Sequence, residues 1–223
     1  MPLVKCLESR LRIPLIGAPL FIVSGPELVI AQCNSGIVGS FPALNARPQS
    51  ELDNWIKQIK AETNAYAEEN PDHPVAPFAV NQICHKSNLR LNSDLETCIK
   101  HKVPIVITSL MPPADVVKGV QEYGGVVFHD VINMRHARKA ISQGVDGIIT
   151  VCAGAGGHAG TTSPFALVKE VREEFDGPII LSGSMSKGSD ILAAQVMGAD
   201  LAYIGTRFIA TKEANATENY KDM

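Results

Sequence analysis

Gly147-Ile148-Ile149-Thr150-Val151-Cys152-Ala153-Gly154-Ala155-Gly156-Gly157-His158-Ala159-Gly160 reads as a short buried strand running straight into a glycine-rich turn. Residues 147–151 show no apolar/polar alternation, the pattern of a strand covered on both faces. The glycines that follow let backbone approach a ligand closely and adopt positive φ. His158 is the one side chain in the run able to move a proton near neutral pH. Taken alone, the run fits two descriptions. It is either a cofactor site with an acid/base group set over it, or a glycine-rich turn carrying a solvated histidine.

Strands and helices alternate on both sides of this run. Beyond it, Ser163-Pro164 reads as an N-cap and a proline at N1, opening a helix over 164–175. A strand over 178–183, a helix over 189–197 opening on Ser189-Asp190, and a strand over 201–207 follow. Before it lie strands over 12–18, 36–40, 75–81, 104–109 and 125–130. The helices between them cover 26–34, 49–70, 92–101, 114–123 and 134–143, with Gly144, Gly177 and Gly198 placed where helices should stop. Eight strands alternating with helices predict an α/β fold, a (β/α)8 TIM barrel. No G-x-G-x-x-G follows the first strand, which argues against an open doubly wound sheet. A barrel of this kind takes about 250 residues. Here strand eight ends near Arg207, so the expectation is a barrel over 1–209, truncated after strand eight, and a polar tail over 210–223 that begins a missing helical domain.

Composition narrows the function classes. The chain is 45% hydrophobic and 19% charged with a formal charge of −3, enough apolar material for one sizeable core. No basic cluster interleaved with aromatics calls for nucleic acid. Cys6, Cys33, Cys84, Cys98 and Cys152 are scattered with no C-x-x-C pair, which favours reduced thiols over a disulfide frame or a zinc site. No leader-like segment opens the sequence and no apolar run approaches a membrane span. The expectation is a cytoplasmic protein that uses no membrane.

Barrel active sites lie at the C-terminal ends of the strands. Gly183-Ser184 and Gly205-Thr206, after strands seven and eight, suit a phosphate held by backbone amides and a hydroxyl, or form two tight turns without ligand. Asn81 closes the predicted third strand, where an amide can both donate and accept, as the pyrimidine half of a flavin requires, or can simply make a turn. Ala18-Pro19-Leu20 suits a flat ring against backbone. His129-Asp130 is the one competitor to His158, since a carboxylate there could orient an imidazole. His73, His85, His101 and His136 fall in loops or on helices. No spacing supports a metal, no G-x-S-x-G supports a serine hydrolase, and a strand-end thiol such as Cys152 more often packs than attacks.

Ala155-Gly156-Gly157-His158-Ala159-Gly160 followed by Ser163-Pro164-Phe165 resembles the signature of nitronate monooxygenases, formerly called 2-nitropropane dioxygenases. The resemblance extends through Ala18-Pro19, Val80-Asn81, Gly183-Ser184 and Ile204-Gly205-Thr206-Arg207-Phe208, in order along the chain. It implies an FMN-dependent (β/α)8 enzyme that oxidises alkyl nitronates with O2 to carbonyl compounds and nitrite. By position, His158 would be the active-site histidine. Ala18, Pro19, Leu20 and Asn81 would contact the ring, and Gly156 would lie close to it. Gly183, Ser184, Gly205 and Thr206 would hold the phosphate, lined by Tyr203 and Ile204. The chain departs from the pattern in having Leu20 for a common methionine, Val151 for a glutamine, Ser184 for a second glycine, and Asp130 where some members carry lysine. Two alternatives stay open: a flavin reductase of the same architecture using NAD(P)H on a quinone or enoyl thioester, and an FMN-binding barrel without turnover. A barrel without its closing helix would also expose apolar surface through which copies could associate.

Overall fold

The computed structural model describes residues 3–111, 114–157 and 159–222. Eight strands follow one another as β1 (Leu15–Gly17), β2 (Gly39–Pro42), β3 (Phe78–Cys84), β4 (Ile105–Leu110), β5 (Val126–Val131), β6 (Gly147–Val151), β7 (Ile179–Ser182) and β8 (Leu201–Ile204). Between them run α1 (Pro26–Asn34), α2 (Glu51–Glu69), α3 (Leu91–Lys100), α4 (Ala114–Gln121), α5 (Met134–Ser142), α6 (Pro164–Glu174) and α7 (Gly188–Val196). All pairings are parallel in the order β1-β8-β7-β6-β5-β4-β3-β2. Gly17 N donates to Val38 O at 2.8 Å and Val38 N to Leu15 O at 3.0 Å, which closes the seam between the first two strands. The result is the (β/α)8 barrel that the alternation predicts.

Strand alternation sorts the side chains into two layers. Ile16, Val38, Ile105, Ile107, Phe128, Ile149, Ile180 and Leu201 fill the barrel interior. Val80, Val106, Val127, Ile148 and Ile179 face outward against the helices. Burial on both sides explains why the strands read as continuous apolar runs.

Several boundaries differ from the sequence reading, each for a local reason. β3 continues past Asn81 because its ladder with β4 carries on through Ile83↔Ser109 and Cys84↔Leu110. Asn81 is therefore an interior residue of the strand, not its end. β2 starts later, because Gly36 turns at φ +77 and Ile37 N is still bonded to Gln32 O of α1. β8 stops at Ile204, and Gly205 opens a short helix, α8 (Thr206–Ile209). Gly177 does not cap α6. Phe175 already leaves the helix in extended conformation, and the Arg172 guanidinium satisfies the carbonyls of Phe175 and Gly177 instead.

Beyond α8 the chain folds back over the β1–α1 loop. Asn215 donates from its main-chain N to Val23 O at 3.0 Å and from Nδ2 to Ile22 O at 3.1 Å, and a last turn, α9, spans Glu218–Lys221. The outer side of β8 and β1 carries a small separate cluster, Leu15, Ile37, Ile191, Ala202 and Ile204, with Phe208 packed on it. Among the described residues no helix is long and apolar enough to cross a membrane.

Candidate active site

Loops after β1, β6, β7 and β8 meet at one end of the barrel. Ala18 N donates to Ile204 O at 2.8 Å, so the β1 exit is stitched to the end of β8. A Cβ built on Gly205 would lie 3.0 Å from Leu20 Cδ2 and 3.5 Å from Ala18 Cβ. On the neighbouring pair, Ser184 donates from both N and Oγ to Gly154 O, each at 3.1 Å. Gly154 has φ +89, and a Cβ there would come within 2.2 Å of Ser184 Oγ, so only glycine fits. Gly156, by contrast, has no neighbour that a Cβ would touch and faces open space.

The β1–α1 loop is held by residues that nothing in the sequence singled out. Leu20 N donates to Ser24 Oγ at 2.9 Å, and Asn45 Nδ2 bridges the carbonyls of Leu20 and Ser24, each at 2.9 Å. Thr206 is exposed at the start of α8, with Gly205 as its N-cap. The Ile204 side chain belongs to the outer cluster, leaving its main chain on the site side. His158 lies outside the described residues.

A polar trio stands above the apolar interior on β3, β4 and β5. Asn81 Nδ2 donates to Ile107 O at 3.2 Å and to Ser109 Oγ at 2.8 Å, and Ser109 Oγ donates to Asp130 Oδ2 at 2.6 Å. Asp130 Oδ1 is buried and has no partner. Ile107, Phe128 and Ile149 belong to the apolar interior these groups share. Burial pushes the Asp130 carboxyl up to about 6, against the pull of the Ser109 hydrogen bond. Across the barrel, Tyr203 of β8 packs among the same interior residues, and burial together with the Asp130 charge pushes its phenol well above the usual range.

One sequence reading of this region changes. His129 does not join Asp130 at the site: alternation along β5 turns it outward, where its Nδ1 sits 2.8 Å from Thr108 Oγ1 in a fully buried pocket. Burial there lowers its pKa to about 4, so it stays neutral. Cys152 is fully buried and its thiol is pushed up to about 11 by burial, the state of a packing residue. Asp130, met in the sequence only as His129's neighbour and as a departure from a family pattern, is the ionisable side chain that β5 directs inward. Ser109 escaped notice as its partner, since their bond links two strands 21 positions apart in sequence.

The comparisons with known proteins agree with this architecture. A family model described as nitronate monooxygenase matches residues 7–223. The chain is 27% identical over 208 residues to a (3aS,4S,5R,7aS)-5-hydroxy-7a-methyl-1-oxo-octahydro-1H-indene-4-carboxyl-CoA dehydrogenase of Rhodococcus jostii, covering 93% of this chain and 55% of that protein. It is 27% identical over 256 residues to a nitronate monooxygenase of Paraburkholderia phytofirmans, covering 93% and 66%. Among solved structures, FabK from Thermotoga maritima superposes with a TM-score of 0.83 at 26% identity, over 98% of this chain and 65% of that one. The chain thus spans between about half and two thirds of the length of these relatives.

Proposed function

The chain belongs to the nitronate monooxygenase family, and from that premise we propose that it is an FMN-dependent oxidoreductase that oxidises alkyl nitronates with O2 to carbonyl compounds and nitrite. The observation that carries this reading is the meeting of the β1, β6, β7 and β8 exits, the last three carrying glycines, opposite a partly buried polar trio. The residues present fit such a cofactor. Gly156 faces open space, so a ligand can approach its backbone closely. Asn81 has both amide protons committed, so its Oδ1 is left to accept from a ring N–H. The buried Oδ1 of Asp130 lacks a partner that a ligand would supply.

FMN supplies the redox chemistry when bound. The protein's part is positional and protonic. Gly183, Ser184, Gly205 and Thr206 would hold the phosphate through amides and a hydroxyl, as barrels do after strands seven and eight. Ala18, Pro19 and Leu20 would lie along the ring, with Gly156 leaving room beside it. Tyr203 and the Ile204 main chain close the space toward β8. His158, from the glycine-rich loop, handles the substrate: protonated it attracts a nitronate anion, and neutral it removes the α-proton of a nitroalkane. No nucleic acid or membrane enters the scheme.

A second reading draws support from the relative described as a carboxyl-CoA dehydrogenase. In it the same site would exchange hydride with NAD(P)H and act on a quinone or an enoyl thioester. Anaerobic rapid mixing of the FMN-loaded protein separates the two. Bleaching by a nitronate supports the first reading, and bleaching by NAD(P)H supports the second. His158→Ala should retain FMN while losing nitronate turnover. A protein that stays colourless after incubation with FMN and desalting would overturn both.

A further inference from the structure

We propose that Asp130 is a specificity-determining residue of this site that binds the flavin ring as the neutral acid, donating from Oδ1 to a ring carbonyl. This rests on the flavin reading above and adds a group that the reading does not use.

Asn81 sets what the site offers to a ring edge. Its two amide protons are spent on Ile107 O and Ser109 Oγ, so toward a ligand it offers only an acceptor. The pyrimidine edge of an isoalloxazine presents carbonyl, N–H and carbonyl in a row. Asn81 Oδ1 can take the N–H, and the group beside it must then donate to a carbonyl. Ser109 cannot, because its hydroxyl proton goes to Asp130 Oδ2. Asp130 Oδ1 is the next polar atom, buried and without a partner. Since Oδ2 accepts from Ser109, a proton on the carboxyl resides on Oδ1, the end of the trio that no protein group satisfies.

The surroundings favour that protonated form. None of the ion pairs among the described residues includes Asp130. From β3, Cys84 feels its charge, and from β8 Tyr203 does; burial keeps both neutral, the thiol pushed up to about 12. The inward residues of β4 (Ile105, Ile107 and Ser109) and of β6 (Ile149 and Val151) carry no ionisable group. His129 and the helices lie on the other face of β5. His158 lies outside the described residues. An ionised Asp130 would set an anionic oxygen, held in place by Ser109, against a ring carbonyl.

The test has two measurements on the full chain. First, the Asp130 carboxyl is titrated by NMR in the FMN-free protein, assigned with Asp130→Asn. It should titrate well above the ordinary carboxylate range, at about 6. Second, FMN binding is measured by fluorescence quenching from pH 5 to 8 for both proteins. Every other titrating group, the FMN phosphate included, is common to both, so the difference between them isolates Asp130. Wild-type affinity should weaken relative to Asp130→Asn as pH rises, by up to tenfold per pH unit, with the variant at least tenfold tighter at pH 8. Superimposable profiles, wild-type affinity that strengthens with pH, or a carboxyl titrating near its ordinary value would each overturn the inference alone. Absence of FMN binding by either protein at every pH would instead bring down the flavin reading and this one with it. If the variant fails to fold, the wild-type titration and pH profile still decide.

Discussion

Gly154 and Ser184 lock the loops after β6 and β7 into one unit. Ser184 donates twice to the Gly154 carbonyl, and a Cβ on Gly154 would fall 2.2 Å from Ser184 Oγ. Gly154→Ala therefore faces two penalties: a non-glycine residue at φ +89, and displacement of the Ser184 hydroxyl. A loss of about 1–3 kcal/mol follows. That lowers the melting temperature by about 2–4 °C per kcal/mol in a chain of this size. FMN binding should weaken in parallel. Adding Ser184→Gly removes the steric conflict but not the backbone strain, so only part of the stability should return.

The same pair shows what a sequence reveals and what it hides. Glycines required by close approach and positive φ leave a direct mark, so the turns at 154 and 183 were legible. So was the barrel, because each strand is buried on both faces and the helices between them are delimited by Pro26, Ser163-Pro164, Gly144 and Gly198. Inter-strand facts were not. Whether β3 ends at Asn81 depends on how far β4 continues to pair with it. Whether His129 or Asp130 enters the barrel depends on the phase of β5, which a dipeptide cannot disclose. Asn45 buttresses Leu20 and Ser24 from 25 and 21 positions away, beyond any local pattern.

Gly205 offers a way to separate fold from site. Its φ of −109 is open to any residue, and the nearest atom that a Cβ would meet is the mobile end of Leu20. Gly205→Ala should fold with stability within about 1 kcal/mol of wild type. The added methyl would nevertheless enter between the ends of β1 and β8, where the proposed phosphate turn and ring would meet. FMN affinity should fall by at least tenfold while the melting temperature of the FMN-free protein barely moves. Undiminished affinity in a well-folded variant would remove Gly205 from the cofactor site.

Arg172 and Asp200 tie α6 to the β7–β8 corner. Asp200 is buried, and its Oδ2 accepts from both the Arg172 guanidinium and Ile179 N, while Arg172 also serves the carbonyls of Gly177 and Gly198. Asp200→Ala strips the partner from a half-buried guanidinium and from a buried strand amide. Breaking such a pair costs about 3–5 kcal/mol. Urea denaturation should show the midpoint falling with little change in slope. Arg172→Leu leaves a buried carboxylate uncompensated and should be comparably destabilised at neutral pH.

His129 and Asp130, adjacent on β5, oppose each other in the dependence of stability on pH. Burial depresses the His129 pKa to about 4, so between that value and its ordinary 6.5 the unfolded chain binds a proton that the folded one refuses. Stability from His129 is therefore full above 6.5 and is lost as pH falls toward 4, by about 3 kcal/mol at the limit. Asp130 acts with the other sign. Its folded pKa is raised from 3.8 to about 6, so the folded chain keeps a proton that the unfolded one releases, and that contribution is lost as pH rises through 6. Across pH 4–6 the two partly cancel. Asp130→Asn should consequently steepen the loss of stability on acidification through that window and raise stability above pH 7. His129→Gln, which keeps a polar partner for Thr108, should flatten the loss. Urea titrations of the FMN-free proteins at pH 4.5, 5.5 and 7.5 read both slopes. Parallel curves for the wild type and Asp130→Asn would mean that Asp130 ionises alike in the folded and unfolded chains.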